Sequence, residues 1–330
     1  MKDLFPCYYK LSVSELESLF DVCYFIIDTN ALLDILRLGD PYTHKVLDLI
    51  NKYKDRVKIP FHVAEEYHDN LLSIITEKKQ KLEQVLKEYT QDGIQQYSND
   101  ILKNFLPQVI IDEYNVKLRR VVGSFIKDLK QQKERIDAEF FDGVVQREMA
   151  KQFRELLLEP LSEEELKKIE SDGETRYASK IPPGYKDAGK GDNQYGDLII
   201  WNEVLKFAKK NNTSIIFVSR DLKEDWILEL HGMKCGPRIE LIQEFRKVVP
   251  GKLFHIYTLD KFIEYASRKE AVFNEKELKE MRSFFSEKEE PIKVSSEDSK
   301  ETLDVSVSSK EDADDIKNPA RILKQSNFGR

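Results

Sequence analysis

Four short apolar runs constrain this chain most: Val22-Cys-Tyr-Phe-Ile-Ile27, Arg56-Val-Lys-Ile59, Ser214-Ile-Ile-Phe-Val218 and Phe254-His-Ile-Tyr257. The first and third are apolar at successive positions rather than alternating, the signature of a strand covered on both faces. Helical patterns lie between the runs, over Ala31 to about Leu38, over residues 41–54, and over Ile239 to Val248 after a turn at Gly236-Pro237-Arg238. Strands alternating with helices predict an α/β fold, here a parallel sheet of about four to five strands flanked by helices.

Between Val63 and about Ile169 the spacing is helical almost throughout. Leu118, Val122, Phe125, Leu129 and Ile136 recur at three- to four-residue steps and predict one apolar helix face. Gly173 to Gly191 is punctuated by Pro182, Pro183, Gly184 and Gly189 and is expected to break regular structure. The predicted organisation is therefore a discontinuous core over residues 1–62 and 173–285, an all-helical insertion over 63–172, and a tail over 286–330. The tail is expected to be disordered. Residues 286–316 carry a net charge of −7 and no aromatic side chain, while 317–330 carry +4. Such a composition buries too little apolar area to offset its ordering entropy.

The tail carries −3 of the overall charge of −7 and the remaining 285 residues only −4, so the acidic balance says little against a nucleic-acid partner for the rest. Apolar residues make up 40% of the chain, enough for a core, which excludes a wholly disordered protein. The longest apolar run is far below the ~20 residues of a membrane helix, so no membrane association is expected. Three widely spaced cysteines (Cys7, Cys23, Cys235) form no C-x-x-C pair and point to a reduced, cytoplasmic setting.

In open parallel sheets, ligands bind beyond the carboxyl ends of the strands. Acidic residues stand at those places. Asp28 follows the first strand, Glu65 and Glu66 follow the second, Asp221 lies three residues past Val218, and Asp225 lies one helical turn further on. Asp192 and Asp197 flank Tyr195-Gly196. Each taken alone suits a helix N-cap or first turn. Together they suit a hard dication held by oxygen, Mg²⁺ or Mn²⁺ rather than Zn²⁺.

The blocks that carry these acids resemble PIN-like nuclease domains, most closely a bacterial subgroup with a long helical insertion. They are Phe25-Ile-Ile-Asp-Thr-Asn-Ala-Leu-Leu33, Ile59-Pro-Phe-His-Val-Ala-Glu-Glu-Tyr67, Pro182-Pro-Gly-Tyr-Lys-Asp187, Tyr195-Gly-Asp-Leu-Ile-Ile-Trp201, Ile216-Phe-Val-Ser-Arg-Asp-Leu-Lys-Glu-Asp-Trp226 and Gly236-Pro-Arg-Ile-Glu-Leu-Ile242. Carried over by position, the resemblance implies Asp28, Glu66, Asp197 and Asp221 as catalytic metal ligands and Asp225 as an auxiliary one. Glu66 is preferred to Glu65 because Tyr67 follows it. The stretch Ser219-Arg-Asp-Leu-Lys223 is less acidic than the subgroup leads one to expect, which would thin a second metal position.

The resemblance also implies phosphodiester hydrolysis, with RNA as the expected partner. By fold-level analogy the chain is a toxin or defence effector. A DNA nuclease with the same site, and a non-catalytic scaffold binding nucleic acid or protein, stay open at this level. A regulatory protein partner or a second copy is expected to meet the helical insertion. For substrate contact the expected residues are Asn30, Tyr185, Lys186, Lys190 and Arg220. Trp201 and Trp226 are expected in the core. The run Lys117 to Arg135 has a net charge of +5, but acids slightly outnumber bases across residues 70–170, so a solvated helix face is its plainer reading.

Overall fold

A parallel four-stranded sheet forms where the apolar runs predict it. A computed structural model describes residues 1–2, 4–39, 41–88, 90, 93, 96, 99–100, 102–189, 191–220 and 223–286, with backbone alone for Glu88, Asp192 and Ser286. The strands are β1 (Tyr24–Ile27), β2 (Val57–Lys58), β3 (Ile215–Val218) and β6 (Phe254–Tyr257), in the order β2-β1-β3-β6. The chain turns to one side of β1 to make β2 and to the other side to make β3. The β1/β3 edge is therefore the switch point, the place beyond whose carboxyl ends ligands bind in open parallel sheets.

The register explains the uninterrupted apolar runs. Tyr24 pairs with Ile215 and Ile215 with Phe254, while Phe25 pairs with Ile216. Side chains alternate faces along a strand. On one face Phe25 packs against Phe20, Tyr53 and Phe262. On the other, Phe217 stacks on Trp226 at 4.9 Å and Phe254 meets Trp201 edge-on at 4.9 Å. Both faces are thus sealed by aromatic clusters, and both tryptophans are core residues, as expected.

The flanking helices are α1 (Val13–Val22), α2 (Thr29–Leu38), α3 (Tyr42–Lys52), α4 (Phe61–Glu88), α5 (Gln108–Asp142), α6 (Val144–Phe153), α7 (Glu163–Ala178), α8 (Gly196–Asn211), α9 (Ile239–Val248), α10 (Leu259–Glu270) and α11 (Glu275–Ser286). No described helix is long and apolar enough to cross a membrane. Residues up to Phe285 form one compact unit. The predicted disordered tail lies outside the described residues. The helical region continues the core without a break, since α4 begins at Phe61 and runs past residue 63.

Several local expectations are corrected. Gly173 lies inside α7 rather than opening a break, because a Cβ there would sit 2.7 Å from the Tyr195 ring; the glycine lets that ring lie against the helix. Gly236-Pro237 belongs to a strand and not to a turn: β4 (Ile227–Leu230) and β5 (Met233–Pro237) form an antiparallel hairpin. Trp226 directly precedes β4. Phe125 is 45% exposed, whereas Val122 is buried, so the apolar face of α5 is narrower than its spacing implies.

Candidate active site

Asp28 occupies the N-cap position of α2, directly beyond β1, yet its side chain makes no capping hydrogen bond. Its N–H donates to the Val218 carbonyl at 2.9 Å, which continues the β1–β3 register by one residue. Asp28 and Ser219 therefore point to the same side of the sheet. The Ser219 hydroxyl donates to Asp28 Oδ2 at 2.6 Å and fixes a carboxylate that is only 7% exposed.

Glu66 reaches the same edge from the second turn of α4. Thr29 Oγ1 donates to its Oε2 at 2.5 Å, and Asn193 Nδ2 donates to its Oε1 at 2.9 Å. Asp197 stands in the first turn of α8, one residue after Gly196. A Cβ on Gly196 would lie 2.9 Å from Glu66 Oε1 and 2.7 Å from Asn193 Oδ1. The bare backbone at Gly196 is what lets the Asp197 helix approach the Glu66 carboxylate. Gly184 plays the matching part on the other side: its φ is +90°, and a Cβ there would overlap Tyr177 Oη and stand 3.1 Å from Asp197 Cβ.

The structure thus brings Asp28, Glu66 and Asp197 to one edge. Asp221, the fourth predicted ligand, and Lys190 lie outside the described residues. Asp225 is fully buried, and its Oδ2 accepts from the N–H groups of Gly184 at 3.1 Å and Lys186 at 3.3 Å. It ties the loop 184–186 to the segment after β3. Arg176 anchors the same loop from α7: it donates to the Pro182 carbonyl and grips Glu244 with both terminal nitrogens, at 2.7 and 2.9 Å.

The predicted substrate contacts divide. Asn30 is half-buried, next to Thr29 at the start of α2. Tyr185 packs partly against the core. The Lys186 ammonium pairs with Glu224 at 2.5 Å in an exposed contact. Arg220 donates to both oxygens of Asp34, at 2.9 and 3.2 Å, and Asp34 is wholly buried, with Arg37 as its second cation. Arg220→Met should therefore cost stability, about 1–3 kcal/mol in urea denaturation, because Arg37 alone is left to compensate the Asp34 charge. An unchanged midpoint would show that the Arg220 pair is dispensable.

The electrostatics of the edge are negative. Burial pushes the Tyr177 hydroxyl up, and the charges of Asp197, Asp187 and Asp225 push in the same direction. Glu203, on α8, accepts from the His62 N–H at 3.2 Å and so links the helix of Asp197 to the first turn of the helix of Glu66. Burial raises the Glu203 carboxyl to about 7, opposed in part by the His62 N–H. A carboxyl near 7 when folded and 4.5 when unfolded contributes stability that is complete below 4.5 and lost as pH rises through 7. Glu203→Gln, which does not titrate, should gain about 2–3 kcal/mol on wild type between pH 5 and pH 8. Parallel stability curves for the two proteins would contradict this.

Asn193, Ser219, Gly196 and Glu203 are the site residues that sequence reasoning missed. Only Gly196, beside a candidate acid, carried a local signal.

The donor set at the edge is oxygen: three carboxylates, with the Thr29 and Ser219 hydroxyls beside them. The nearby imidazole of His62 lies 3.2 Å from both Glu65 Oε2 and Asn193 Oδ1. The three cysteines are free thiols on other elements. That chemistry fits Mg²⁺ or Mn²⁺. Among the described residues, no three His, Cys, Asp or Glu side chains are close enough together to hold a metal ion on their own.

A family model described as a PIN-like domain matches residues 24–241. The match spans β1 to the first turn of α9 and includes every residue of the edge. No curated protein and no solved structure matches the chain.

Proposed function

The chain belongs to the PIN-like domain family, and from that premise we propose that it is a metal-dependent phosphodiester hydrolase acting on RNA. PIN-like domains are generally nucleases and usually use divalent metals. The observation that carries the reading is the meeting of Asp28, Glu66 and Asp197 at the β1/β3 switch point, with Gly196 bare against Glu66.

Each carboxylate has its own support. Ser219 orients Asp28, Thr29 and Asn193 orient Glu66, and the first turn of α8 presents Asp197. Asp221, by its place in the sequence, completes the set. The bound dication supplies an acidified water and charge neutralisation at the phosphate. The N-termini of α2 and α8 face the same edge, and their dipoles favour phosphate there. In this reading Asn30, on the first turn of α2, donates to a phosphate oxygen, and Tyr185 meets a base.

The test is to incubate the full chain with 30-nucleotide RNA and DNA, single-stranded and hairpin, in Mg²⁺, Mn²⁺ or EDTA. Metal-dependent cutting of RNA alone is expected. Cutting of DNA at an equal rate would replace RNA by nucleic acid in general. No cutting of either would remove the hydrolase reading.

A further inference from the structure

We propose that the solvent face of α5 is a second nucleic-acid contact, at which Arg120, Lys127 and Lys130 hold the phosphate backbone of a substrate whose scissile bond lies at the carboxylate edge. This rests on the hydrolase reading above and extends it to the length of substrate engaged.

The helical rotation of ~100° per residue puts Arg119, Arg120, Gly123, Lys127 and Lys130 on one face of α5. That face flanks the buried stripe of Ile111, Asn115 and Val122, its centre about 110° around the helix from it. All four cations are exposed. Elsewhere on α4 and α5 three lysines are ion-paired, Lys79 with Asp137 at 2.6 Å, Lys81 with Glu77 at 2.5 Å, and Lys133 with Asp137 and Glu83, while Lys117 lies over the Tyr114 ring. Arg120, Lys127 and Lys130 make no ion pair among the described residues. The acids on this face, Asp112, Glu113, Glu134 and Asp137, stand at its two ends. Gly123 lies between the cations, and among the described residues no atom beyond its own helix backbone would lie within 4 Å of a Cβ placed there. The helix thus offers bare backbone at the centre of the patch, where a strand can approach closely.

The ion pairs also fix where the patch is. Lys79 opposite Asp137 and Glu83 opposite Lys133 set α4 and α5 antiparallel. Counting ~1.5 Å per residue, 13 residues of α4 separate Glu66 from Lys79 and 10 residues of α5 separate Asp137 from Lys127, together about 35 Å. A substrate must extend that far from its scissile phosphate to reach the patch. Length dependence is therefore the signature of this surface, and it separates the patch from a merely solvated face.

The experiment uses the full chain carrying Asp28→Asn, to keep RNA intact, with and without Arg120→Glu, Lys127→Glu and Lys130→Glu together. Fluorescence anisotropy reads the affinity for a 30-nucleotide RNA hairpin and a 6-nucleotide RNA across a KCl series. The triple change should weaken the 30-mer at least tenfold and reduce the slope of log K against log salt by about 2–3, from three contacts at ~0.7–0.9 each. The 6-mer should change by less than twofold. A triple Gln version should give an intermediate loss and serves as the reading if the Glu version melts early. Equal affinity and salt slope with and without the changes, or a 30-mer bound no more tightly than the 6-mer, overturns the proposal. Cleavage by wild type is scored separately. Cleavage with an unchanged 30-mer affinity removes the surface alone, whereas no cleavage removes the reading beneath it.

Discussion

Asp28→Asn and Asp197→Asn should each lower the rate of phosphodiester cleavage by roughly three orders of magnitude, about 4 kcal/mol of transition-state stabilisation, while leaving the fold intact. The substitutions keep the size of the side chain. In Asp28→Asn the amide oxygen can still accept the Ser219 hydroxyl that now bonds Oδ2 at 2.6 Å. What is removed is one negative charge from an edge that also carries Glu66 and Asp197, so thermal stability without metal should stay level or rise slightly. Kinetics with Mn²⁺ and a melting curve in EDTA measure the two quantities on the same samples. A variant that cleaves at the wild-type rate places the chemistry elsewhere. A variant that loses activity only because it unfolds says nothing for the metal role and gives Asp28 a structural one.

Gly196→Ala should separate geometry from charge. Alanine is the better helix former, and α8 begins at this residue. Its Cβ would stand 2.9 Å from Glu66 Oε1 and 2.7 Å from Asn193 Oδ1, both at the far ends of side chains. Those ends can swing aside at little cost, so the melting temperature should move by only a few degrees. The Glu66 carboxylate, however, then leaves the position set by Thr29 and Asn193. A misplacement on the order of 1 Å at a reacting centre costs about 100-fold in rate. The expected result is a protein as stable as wild type and about 100 times slower. Full activity in Gly196→Ala would show that Glu66 does not need its present position, and the ligand role of Glu66 would go with it.

Much of this was legible in the sequence, for identifiable reasons. Strands covered on both faces are written as continuous apolar runs, so β1, β3 and β6 stood out. A carboxylate directly after such a strand lies at its functional end, so Asp28 was visible too. The β4–β5 hairpin was not. Its residues are half-exposed, with Leu230 and Met233 at 51% and 65%, and its turn, His231-Gly232, puts a histidine at a φ of +52° where asparagine or aspartate would have signalled it. Helix α1 carried a readable Ser12/Glu15 capping box that the apolar pattern overshadowed. The partners that aim the acids are tertiary. Ser219 lies 191 residues from Asp28, Asn193 lies 127 from Glu66, and Glu203 lies 141 from His62. No local pattern joins positions so far apart. Arg220 shows the reverse, since its charge beside Asp221 reads as a substrate contact and the fold pairs it with the buried Asp34.

Direct binding of Mn²⁺ tests the central claim without relying on the choice of substrate. Mn²⁺ is titrated into the full chain and followed by the electron paramagnetic resonance of the free ion, with Asp28→Asn and Asp197→Asn as companions. The account predicts saturable binding to the wild type, weakened at least tenfold in each variant and competed by Mg²⁺. Wild-type binding that neither substitution alters, or no saturable binding at all, would contradict a metal site built on these carboxylates.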